Sequence, residues 1–489
     1  MSELHSTHSI TYKDRPWLKH YDPGVAHSLA PYPERTMQDI LRKTAAEDPD
    51  RPALITSIRL PLIGHQKHIM TYGELDRHSD EMAAALVALG VRKGDRVAII
   101  MPNSTQFVIT FYAILKVGAV TAAMNPAYPA PKLQYHLNYS GARFAFTYTA
   151  MYNTLKQVQP QTKLESIIAT NLKEYMAPAA RIAFGQTMER KEGHFLKNVE
   201  EGDHWFQDLL RQHANQKPEV EVFPDDLAIM QFTGGTTGVP KGALATHRTL
   251  SNSTHAMDAW TSVEFPDAPP RGDFHIVAAL PMFHIFGMVV MLSQAMACGW
   301  KMLIVIDARD TNALVDLIHH YKPEVMLGVP LLFHAIANHP KVLSGDISFS
   351  SFAIAISAAS ALHPNIKQAV EKAGCRRLAQ GYGLSEVPCG NHCNPFTTLD
   401  KGETVGIALP DVDGRIVDLE TGTREMPVGE IGEIILHTPF LMVGYHNMPE
   451  ETANALREFD GKLFMYTGDI GKMDEDGYFT IVDRKKDMA

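Results

Sequence analysis

The stretch Gln231-Phe-Thr-Gly-Gly-Thr-Thr-Gly-Val-Pro-Lys-Gly-Ala243 decides how the rest of the sequence is interpreted. It places three hydroxyl side chains, those of Thr233, Thr236 and Thr237, close to several glycines and to Lys241. Glycine lets the backbone approach a ligand closely and expose its N–H groups. Because hydroxyls add donors and lysine adds a mobile positive charge, the stretch predicts a flexible loop that binds a polyphosphate. The alternative is an ordinary surface turn.

This loop differs from the phosphate loop of nucleotide hydrolases, which requires Gly-Lys followed by Ser or Thr. Here Pro240 precedes Lys241 and Gly242 follows it. The stretch instead resembles the phosphate loop of the adenylate-forming enzymes, which include acyl-CoA synthetases, coumarate-CoA ligases, luciferases and peptide-synthetase adenylation domains. Their pattern is an aromatic residue and then Thr-Ser-Gly-Thr-Thr-Gly-x-Pro-Lys-Gly. This chain departs from that pattern at Gly234, where serine is commoner.

Composition narrows the class of protein. The 489 residues exceed one typical domain, and 45% apolar with 20% charged residues is typical of a soluble globular chain. A net charge of −10 argues against general nucleic-acid binding. Four cysteines form no disulfide framework, so we expect a reducing, cytoplasmic location.

The first residues lack the pattern of a secretory signal. The charge-free run 274–300 is interrupted by polar residues, which favours a strand and a buried helix over a membrane span.

Alternating helix and strand patterns predict the fold class. Thr71-Tyr-Gly-Glu74 has the spacing of a capping box, and the helix that it begins should end near Gly90. Short apolar strands such as Arg96–Ile100 follow helices, which is typical of parallel sheets covered on both faces. The sequence and the resemblance predict an α/β fold with two doubly wound mixed or parallel sheets packed as an αβαβα large domain, plus a small antiparallel β-barrel subdomain.

The predicted division of the chain has four parts. Residues 1–220 form a first α/β subdomain with a polar helical stretch over 152–221, and residues 221–396 form a second α/β subdomain. Residues 397–485 form the small β subdomain. Residues 486–489 match the family's hinge, at which Lys486 stands. Family members continue into a small C-terminal domain, so we expect that domain to be absent here and the fragment alone to turn over weakly.

A second cluster, Gln380-Gly-Tyr-Gly-Leu-Ser-Glu386, offers glycines for a tight turn, a flat tyrosine ring and a hard carboxylate oxygen for Mg²⁺. A glycine-rich turn with a packed tyrosine would explain it nearly as well. It resembles the family's Gly-Tyr-Gly-x-Thr-Glu motif, with Ser385 in place of threonine. Upstream, Ser357-Ala-Ala-Ser-Ala-Leu362 stands where the family has Ser-Gly-Ala-Ala-Pro-Leu.

A third cluster is Tyr466-Thr-Gly-Asp-Ile-Gly471, followed by Asp483-Arg484. Alone, Thr-Gly-Asp is a turn with a capping aspartate. The family carries its ribose-binding Asp and Arg at the positions of Asp469 and Arg484. The resemblance therefore implies an ATP or AMP site formed by Thr233, Gly234, Gly235, Thr236, Thr237, Gly238, Lys241, Ala358, Ala359, Ser360, Gly381, Tyr382, Gly383, Ser385, Asp469 and Arg484.

The resemblance also implies the reaction. A carboxylate attacks the α-phosphorus of ATP, pyrophosphate leaves, and the acyl-adenylate reacts with a thiol, usually that of coenzyme A. We expect Thr236, Lys241, His284 and Glu386 to be catalytic and Glu386 to bind Mg²⁺. His284 belongs to Pro281-Met-Phe-His-Ile-Phe-Gly287, which resembles the segment bordering the family's acyl tunnel, although a lone histidine on an apolar stretch is as often a core residue. The expected tunnel residues are His284, Met288, Gly328 and Ala379.

The substrate interpretation follows from further likenesses. The stretches Trp17–Tyr21 and Lys191–Phe195 resemble bacterial long-chain fatty acyl-CoA synthetases, so the expected acid is a medium-chain or long-chain fatty acid. The alternatives are an aryl or coumarate-type CoA ligase, an enzyme that loads a carrier protein, and a non-catalytic nucleotide-binding or lipid-binding module.

The stretch 172–195 mixes apolar and basic residues, as a solvated helix or a membrane-surface segment would. Peripheral contact with the inner face of the membrane and a homodimer are further expectations.

Overall fold

The computed structural model describes residues 10–60, 63–233 and 240–485. Its α-helices are α1 (Met37–Glu47), α2 (Tyr72–Ala88), α3 (Thr105–Lys116), α4 (Ala130–Ser140), α5 (Thr149–Val158), α6 (Pro178–Thr187), α7 (Phe206–Gln212), α8 (His247–Trp260), α9 (Gln294–Cys298), α10 (Thr311–Tyr321), α11 (Pro330–Ala337), α12 (Pro340–Leu343), α13 (Pro364–Lys372) and α14 (Pro449–Ala455).

The strands are β1 (Pro52–Leu60), β2 (Gly64–Thr71), β3 (Arg96–Ile100), β4 (Val120–Ala123), β5 (Phe144–Tyr148), β6 (Ser166–Thr170), β7 (His204–Trp205), β8 (Leu227–Thr233), β9 (Lys241–Thr246), β10 (His275–Ala278), β11 (Lys301–Ile304), β12 (Val325–Gly328), β13 (Ile354–Ser357), β14 (Leu378–Leu384), β15 (Cys389–Cys393), β16 (Ile407–Ala408), β17 (Asp413–Val417), β18 (Gly432–His437), β19 (Gly444–Tyr445), β20 (Leu456–Phe459), β21 (Lys462–Met473) and β22 (Phe479–Arg484).

Within the described ranges these strands form three sheets. An eight-stranded sheet has the order β19-β9-β8-β4-β3-β5-β6-β7, and a nine-stranded sheet has the order β16-β15-β14-β13-β12-β10-β11-β1-β2. Both are parallel at the centre and antiparallel at one or both edges. A smaller antiparallel sheet joins β17, β18, β21, β20 and β22. The predicted fold class is confirmed.

The sheets do not coincide with the predicted segments of the chain. Strands β1 and β2 lie before residue 220, yet they complete the nine-stranded sheet by pairing with β11. Strands β8 and β9 lie after residue 220, yet they complete the eight-stranded sheet through β4. This exchange follows from pairing between strands that are distant in sequence, which local patterns do not encode. As a description of independent units, the division at residues 220, 396 and 485 stays a prediction.

One apolar core supports all three sheets. The largest buried cluster includes Leu54 of β1, Ile99 of β3 and Ile434 of β18. Helix α2 begins as the capping box predicts, because the Thr71 hydroxyl accepts a hydrogen bond from the Glu74 N–H at 3.2 Å and the Glu74 carboxylate accepts one from the Thr71 N–H at 2.9 Å. The helix ends before Gly90, whose φ of 91° suits glycine.

Two predictions over longer stretches had different outcomes. The stretch 152–221, predicted as helical, contains the buried strand β6 and the short strand β7, so that prediction is wrong in part. Five residues of β6 are too few to show a clear period beside the polar residues around them. The run 274–300 forms β10, the π-helical segment Phe286–Ser293 and α9, as predicted in type. Among the described residues no helix has the length and apolar character needed to span a bilayer.

A buried ion-pair network fixes α2 against α3. The Lys116 side chain is 0% exposed, and its Nζ lies 2.6 Å from an Asp76 carboxylate oxygen and 2.7 Å from an Asp80 carboxylate oxygen. Burial lowers the pKa of Lys116, whereas the two carboxylates oppose that shift. The ammonium group therefore depends on these partners for its charge to be tolerated in the interior.

We predict that Lys116→Met lowers the free energy of unfolding by about 3 kcal/mol, because Asp80 is then left buried with its main counter-charge removed. Chemical denaturation followed by circular dichroism measures the change. In the double variant Asp80→Asn/Lys116→Met the loss should be smaller than the sum of the two single losses. Strictly additive losses would show that the network does not couple α2 to α3.

Candidate functional site

A cavity of about 730 Å³ lies where the two large sheets meet the small sheet. The segments that follow β10, β13 and β14, at the carboxyl ends of parallel strands, form one wall. The β8–β9 hairpin, α14 and the strands β18, β21 and β22 complete it. Ligands of open α/β sheets bind at the carboxyl ends of the strands, so this position is typical of a binding site.

Asp469 is the centre of one side of the cavity. Its carboxylate accepts a hydrogen bond from the Tyr382 hydroxyl at 2.6 Å and lies 3.0 Å from Nε of Arg484. Pairing of β21 with β22 places Asp469 opposite Arg484, while Tyr382 comes from β14 of the nine-stranded sheet. The Asp469 side chain is 4% exposed and that of Arg484 is 53% exposed. A buried acceptor therefore faces the cavity beside an accessible cation.

Glu386 and Lys241 lie on another side of the cavity. The Tyr445 hydroxyl donates to Oε1 of Glu386 at 2.8 Å, and Nζ of Lys241 lies 5.0 Å from the centre of the Tyr445 ring. Lys241 also forms an ion pair with Glu451 of α14. Burial raises the pKa of Glu386, and the Tyr445 hydrogen bond and the charge of Lys241 reduce that rise. The Tyr445 hydroxyl thus holds the carboxylate in one orientation on the cavity wall.

The carboxylates of the cavity fit a Mg²⁺ ion that takes most of its oxygen ligands from a bound phosphate compound and from water. Magnesium in proteins usually takes one or two carboxylates and completes its shell with phosphate oxygens and water. Glu386 supplies one carboxylate on the cavity wall. In the described part of the chain no three His, Cys, Asp or Glu side chains are grouped as an all-protein metal site. The other three carboxylates of the described cavity lining are each paired with a cation, so Glu386 stays the residue predicted to hold the ion.

His284 contacts the cavity rather than the core. Its side chain lines the cavity with Ile285 and Phe286, and its Nδ1 accepts a hydrogen bond from the Phe286 N–H at 3.3 Å. The surrounding protein lowers its pKa by desolvation, so the ring is neutral near pH 7. Because Nδ1 is the acceptor, the proton of the neutral ring lies on Nε2, which can donate a hydrogen bond to an oxygen of a ligand.

The cavity brings together twelve of the predicted site residues. They are Thr233, Lys241, His284, Ala358, Ala359, Gly381, Tyr382, Gly383, Ser385, Glu386, Asp469 and Arg484. Ala359 has a φ of 71°, a strained conformation for a residue with a side chain, and such strain is concentrated at functional sites. The roles of these residues stay predictions.

Four other predicted site residues belong to the described part of the chain but do not line the cavity. Met288 and Ala379 are 1% and 0% exposed, a side chain at Gly328 would meet Phe333 at 2.9 Å, and Ser360 is exposed. Gly234, Gly235, Thr236, Thr237 and Gly238 of the predicted phosphate loop, and Lys486 of the predicted hinge, lie outside the described residues.

Several charged and aromatic residues of the cavity were not predicted from the sequence. Tyr445 and Glu451 line the cavity, and the sequence patterns predicted no role for either residue. Glu433, Arg457 and Lys485 also line the cavity. Within the described lining, the formal charges of four cations and four acids balance; they are Lys241, Arg457, Arg484 and Lys485, and Glu386, Glu433, Glu451 and Asp469.

Known proteins are similar to this chain in sequence and in fold. A long-chain-fatty-acid–CoA ligase of Bacillus subtilis is 32% identical over 478 residues, which cover 97% of this chain and 81% of that protein. The crystal structure of a long-chain-fatty-acid-CoA ligase from Archaeoglobus fulgidus has a TM-score of 0.79 at 24% identity, covering 95% of this chain and 86% of that chain. ATP-bound MatB from Rhodopseudomonas palustris has a TM-score of 0.75 at 23% identity, covering 93% and 80%.

The match to a protein family covers most of the chain. The family described as AMP-binding enzyme matches residues 41–446, a range that includes the β8–β9 hairpin, the Gly-Tyr-Gly strand and the first strands of the small sheet. Both the sequence relatives and the fold agree with this match. The chain belongs to the AMP-binding enzyme family.

Proposed function

We propose that this protein activates a medium-chain or long-chain fatty acid with ATP, through an acyl-adenylate, and then transfers the acyl group to the thiol of coenzyme A. The observation that carries the proposal is the convergence of Lys241, Glu386 and the Asp469–Arg484 pair on one cavity that also has an apolar wall. The names of the relatives support the choice of acid.

The nucleotide has a natural orientation in this cavity. The buried Asp469 carboxylate has lone pairs left for the two hydroxyls of a ribose, which lie next to each other on the sugar. Lys241, at the start of β9, also lines the cavity and supplies positive charge for the phosphates. Gly381 and Gly383 allow a base to approach the backbone of β14.

The fatty acid is assigned to the apolar wall. Met257, Val290 and Ile356 line the cavity there, and Gly390 leaves room beside Met257. An alkyl chain gains about 0.8 kcal/mol for each buried methylene group, so an apolar wall favours longer acids. His284 also lines the cavity, and we place the substrate carboxylate beside it.

The chemistry requires two anions to be brought together. A carboxylate oxygen attacks the α-phosphorus of ATP, the bond to the bridging oxygen breaks, and pyrophosphate leaves with its electron pair. The thiolate sulfur of coenzyme A then attacks the acyl carbon, and AMP leaves. Lys241 and Arg484 reduce the repulsion between the reactants by their charge. Bound at Glu386, Mg²⁺ would supply further neutralisation of the phosphates.

We predict that Asp469→Asn raises the Kd for ATP about tenfold or more, because a charged hydrogen-bond acceptor contributes roughly 1.5–3 kcal/mol. Isothermal titration calorimetry measures the change. Asp483→Asn is the matched control, since Asp483 is exposed on β22 next to Arg484 and does not line the cavity. If Asp469→Asn and Asp483→Asn bind ATP with equal affinity, Asp469 is not part of the nucleotide site.

We predict that the protein catalyses ATP–pyrophosphate exchange with palmitate and forms palmitoyl-CoA. Glu386→Gln should lower the exchange rate about 100-fold, the size of effect seen when one stabilising group is removed from a reacting charge. Isotope exchange and chromatography of the thioester are the measurements.

Other outcomes of this assay select other functions. Exchange with coumarate but not palmitate would indicate an aryl-CoA ligase. Exchange with palmitate and no thioester with coenzyme A would indicate transfer to a carrier protein. Absence of exchange with any acid, together with retained ATP binding, would indicate a non-catalytic binding module.

A second part of the proposal is contact with an anionic membrane surface. Ile182, Phe195 and Met188, on α6 and the segment after it, are 61%, 47% and 37% exposed. The exposed basic residues Arg190 and Lys191 lie between them in sequence, and the Arg190 guanidinium stacks on the Phe195 ring at 3.7 Å. Apolar residues flanked by basic ones are typical of surfaces that lie at a membrane interface.

We predict that the protein co-floats with phosphatidylglycerol vesicles and that Ile182→Glu/Phe195→Glu weakens this binding about tenfold or more through lost apolar burial and added repulsion. Leu331→Glu/Leu343→Glu is the matched control, because these leucines are 75% and 70% exposed on α11 and α12. Binding that is unaffected by the first variant, or weakened equally by both, would contradict the assignment.

A further inference from the structure

The counter-charges of the cavity's cations differ in how firmly they are held. Arg484 pairs with Asp469 at 3.0 Å and Lys485 pairs with Glu433 at 2.9 Å. The side chains of Asp469 and Glu433 are only 4% and 5% exposed. Each accepts a second bond, from the Tyr382 hydroxyl and from the Gly468 N–H respectively. These two carboxylates are fixed parts of the cavity wall.

Glu451 is a different kind of partner. Its side chain is 46% exposed while that of Lys241 is 18% exposed. It stands in the first turn of the short helix α14 and bonds only Lys241 among the described residues. A half-exposed carboxylate with one bond regains water when it moves away, so its displacement costs little free energy.

Lys241 keeps a second contact when Glu451 leaves. Its Nζ lies 5.0 Å from the centre of the Tyr445 ring, and Tyr445 is itself held by its hydroxyl on Glu386 and by its N–H on the Thr452 hydroxyl at 2.9 Å. The ring attracts the ammonium group and does not compete for its hydrogens in the way a carboxylate does. Lys241 is therefore held near its place whether or not Glu451 is bound.

The formal charges of the cavity make this pair important. Among the described lining residues four cations face four acids, so their formal charges cancel before a ligand enters. A polyphosphate brings several negative charges, and it meets an ammonium group already occupied by a carboxylate. Among the three acids that pair with these cations, Glu451 has the most exposed side chain. Breaking its ion pair therefore leaves no buried carboxylate without a partner, as breaking the Asp469 or Glu433 pair would.

We propose that Glu451 is a displaceable counter-charge that occupies Lys241 until the phosphates of the nucleotide replace it. The proposal rests on the proposed nucleotide site and adds a residue that sets its affinity. Glu451 is a positioning and competing residue, not a catalytic one. It lowers the affinity of the site for phosphates and keeps Lys241 from being left unpaired when the site is empty.

The test compares Glu451→Gln with Glu450→Gln by calorimetric titration of ATP, and of adenosine as a probe without phosphates. Glu450 is an exposed acid on the same turn of α14 and has no described contact with Lys241, so it controls for the general loss of negative charge. We expect Glu451→Gln to lower the Kd for ATP about twofold to fivefold, the range of a partly exposed ion pair. The Kd for adenosine should not change.

A second arm distinguishes competition from a structural role. In a Lys241→Ala background, Glu451→Gln should no longer lower the Kd for ATP, because the shared partner is absent. An unchanged or raised Kd for ATP in Glu451→Gln would overturn the proposal, as would an equal gain in Glu450→Gln or in adenosine binding. The proposed function fails in a different way, through absence of ATP binding by the unaltered protein.

Discussion

The arrangement of the site depends on the hydrogen bond and the ion pair that the Asp469 carboxylate forms. This carboxylate receives the Tyr382 hydroxyl from the nine-stranded sheet and the Arg484 guanidinium from the small sheet, and it is almost fully buried. A buried charge with these partners is costly to separate from them, so the contact fixes the small sheet against the Gly-Tyr-Gly strand. The proposed sugar site is thus also a joint between two sheets.

The exchange of strands between the large sheets explains why distant motifs converge. The β8–β9 hairpin that carries Lys241 is held in the eight-stranded sheet, whereas β14 with Tyr382 belongs to the nine-stranded sheet. Each motif stands at the end of a strand that its own sheet keeps rigid. The cavity forms where these ends face one another. Precise placement of reacting groups requires such rigid supports, and loops alone would supply less of it.

Local patterns predicted the elements well but not their partners. The capping box at Thr71 and the apolar run Arg96–Ile100 have short-range physical causes, so the sequence showed them. The motifs around Tyr382 and Asp469 were found through the resemblance, and the structure places both on one cavity. Strand β6 was missed because its run is short. The ion pair of Lys241 with Glu451 joins residues 210 positions apart, and no local pattern encodes such a pair.

The electrostatics of the empty cavity set opposing demands. An unpaired charge inside protein is unfavourable, and ion pairs with Lys241, Arg484 and Lys485 avoid it for the mostly buried Lys241 ammonium group and for the buried Asp469 and Glu433 carboxylates. A reaction between a carboxylate and a polyphosphate, however, needs cations that can still accept new negative charge. Burial resolves the conflict, because Asp469 and Glu433 are locked in place while the partner of Lys241 reaches solvent. Lys241, which follows the predicted phosphate loop in sequence, is therefore the cation whose carboxylate partner a ligand displaces most easily.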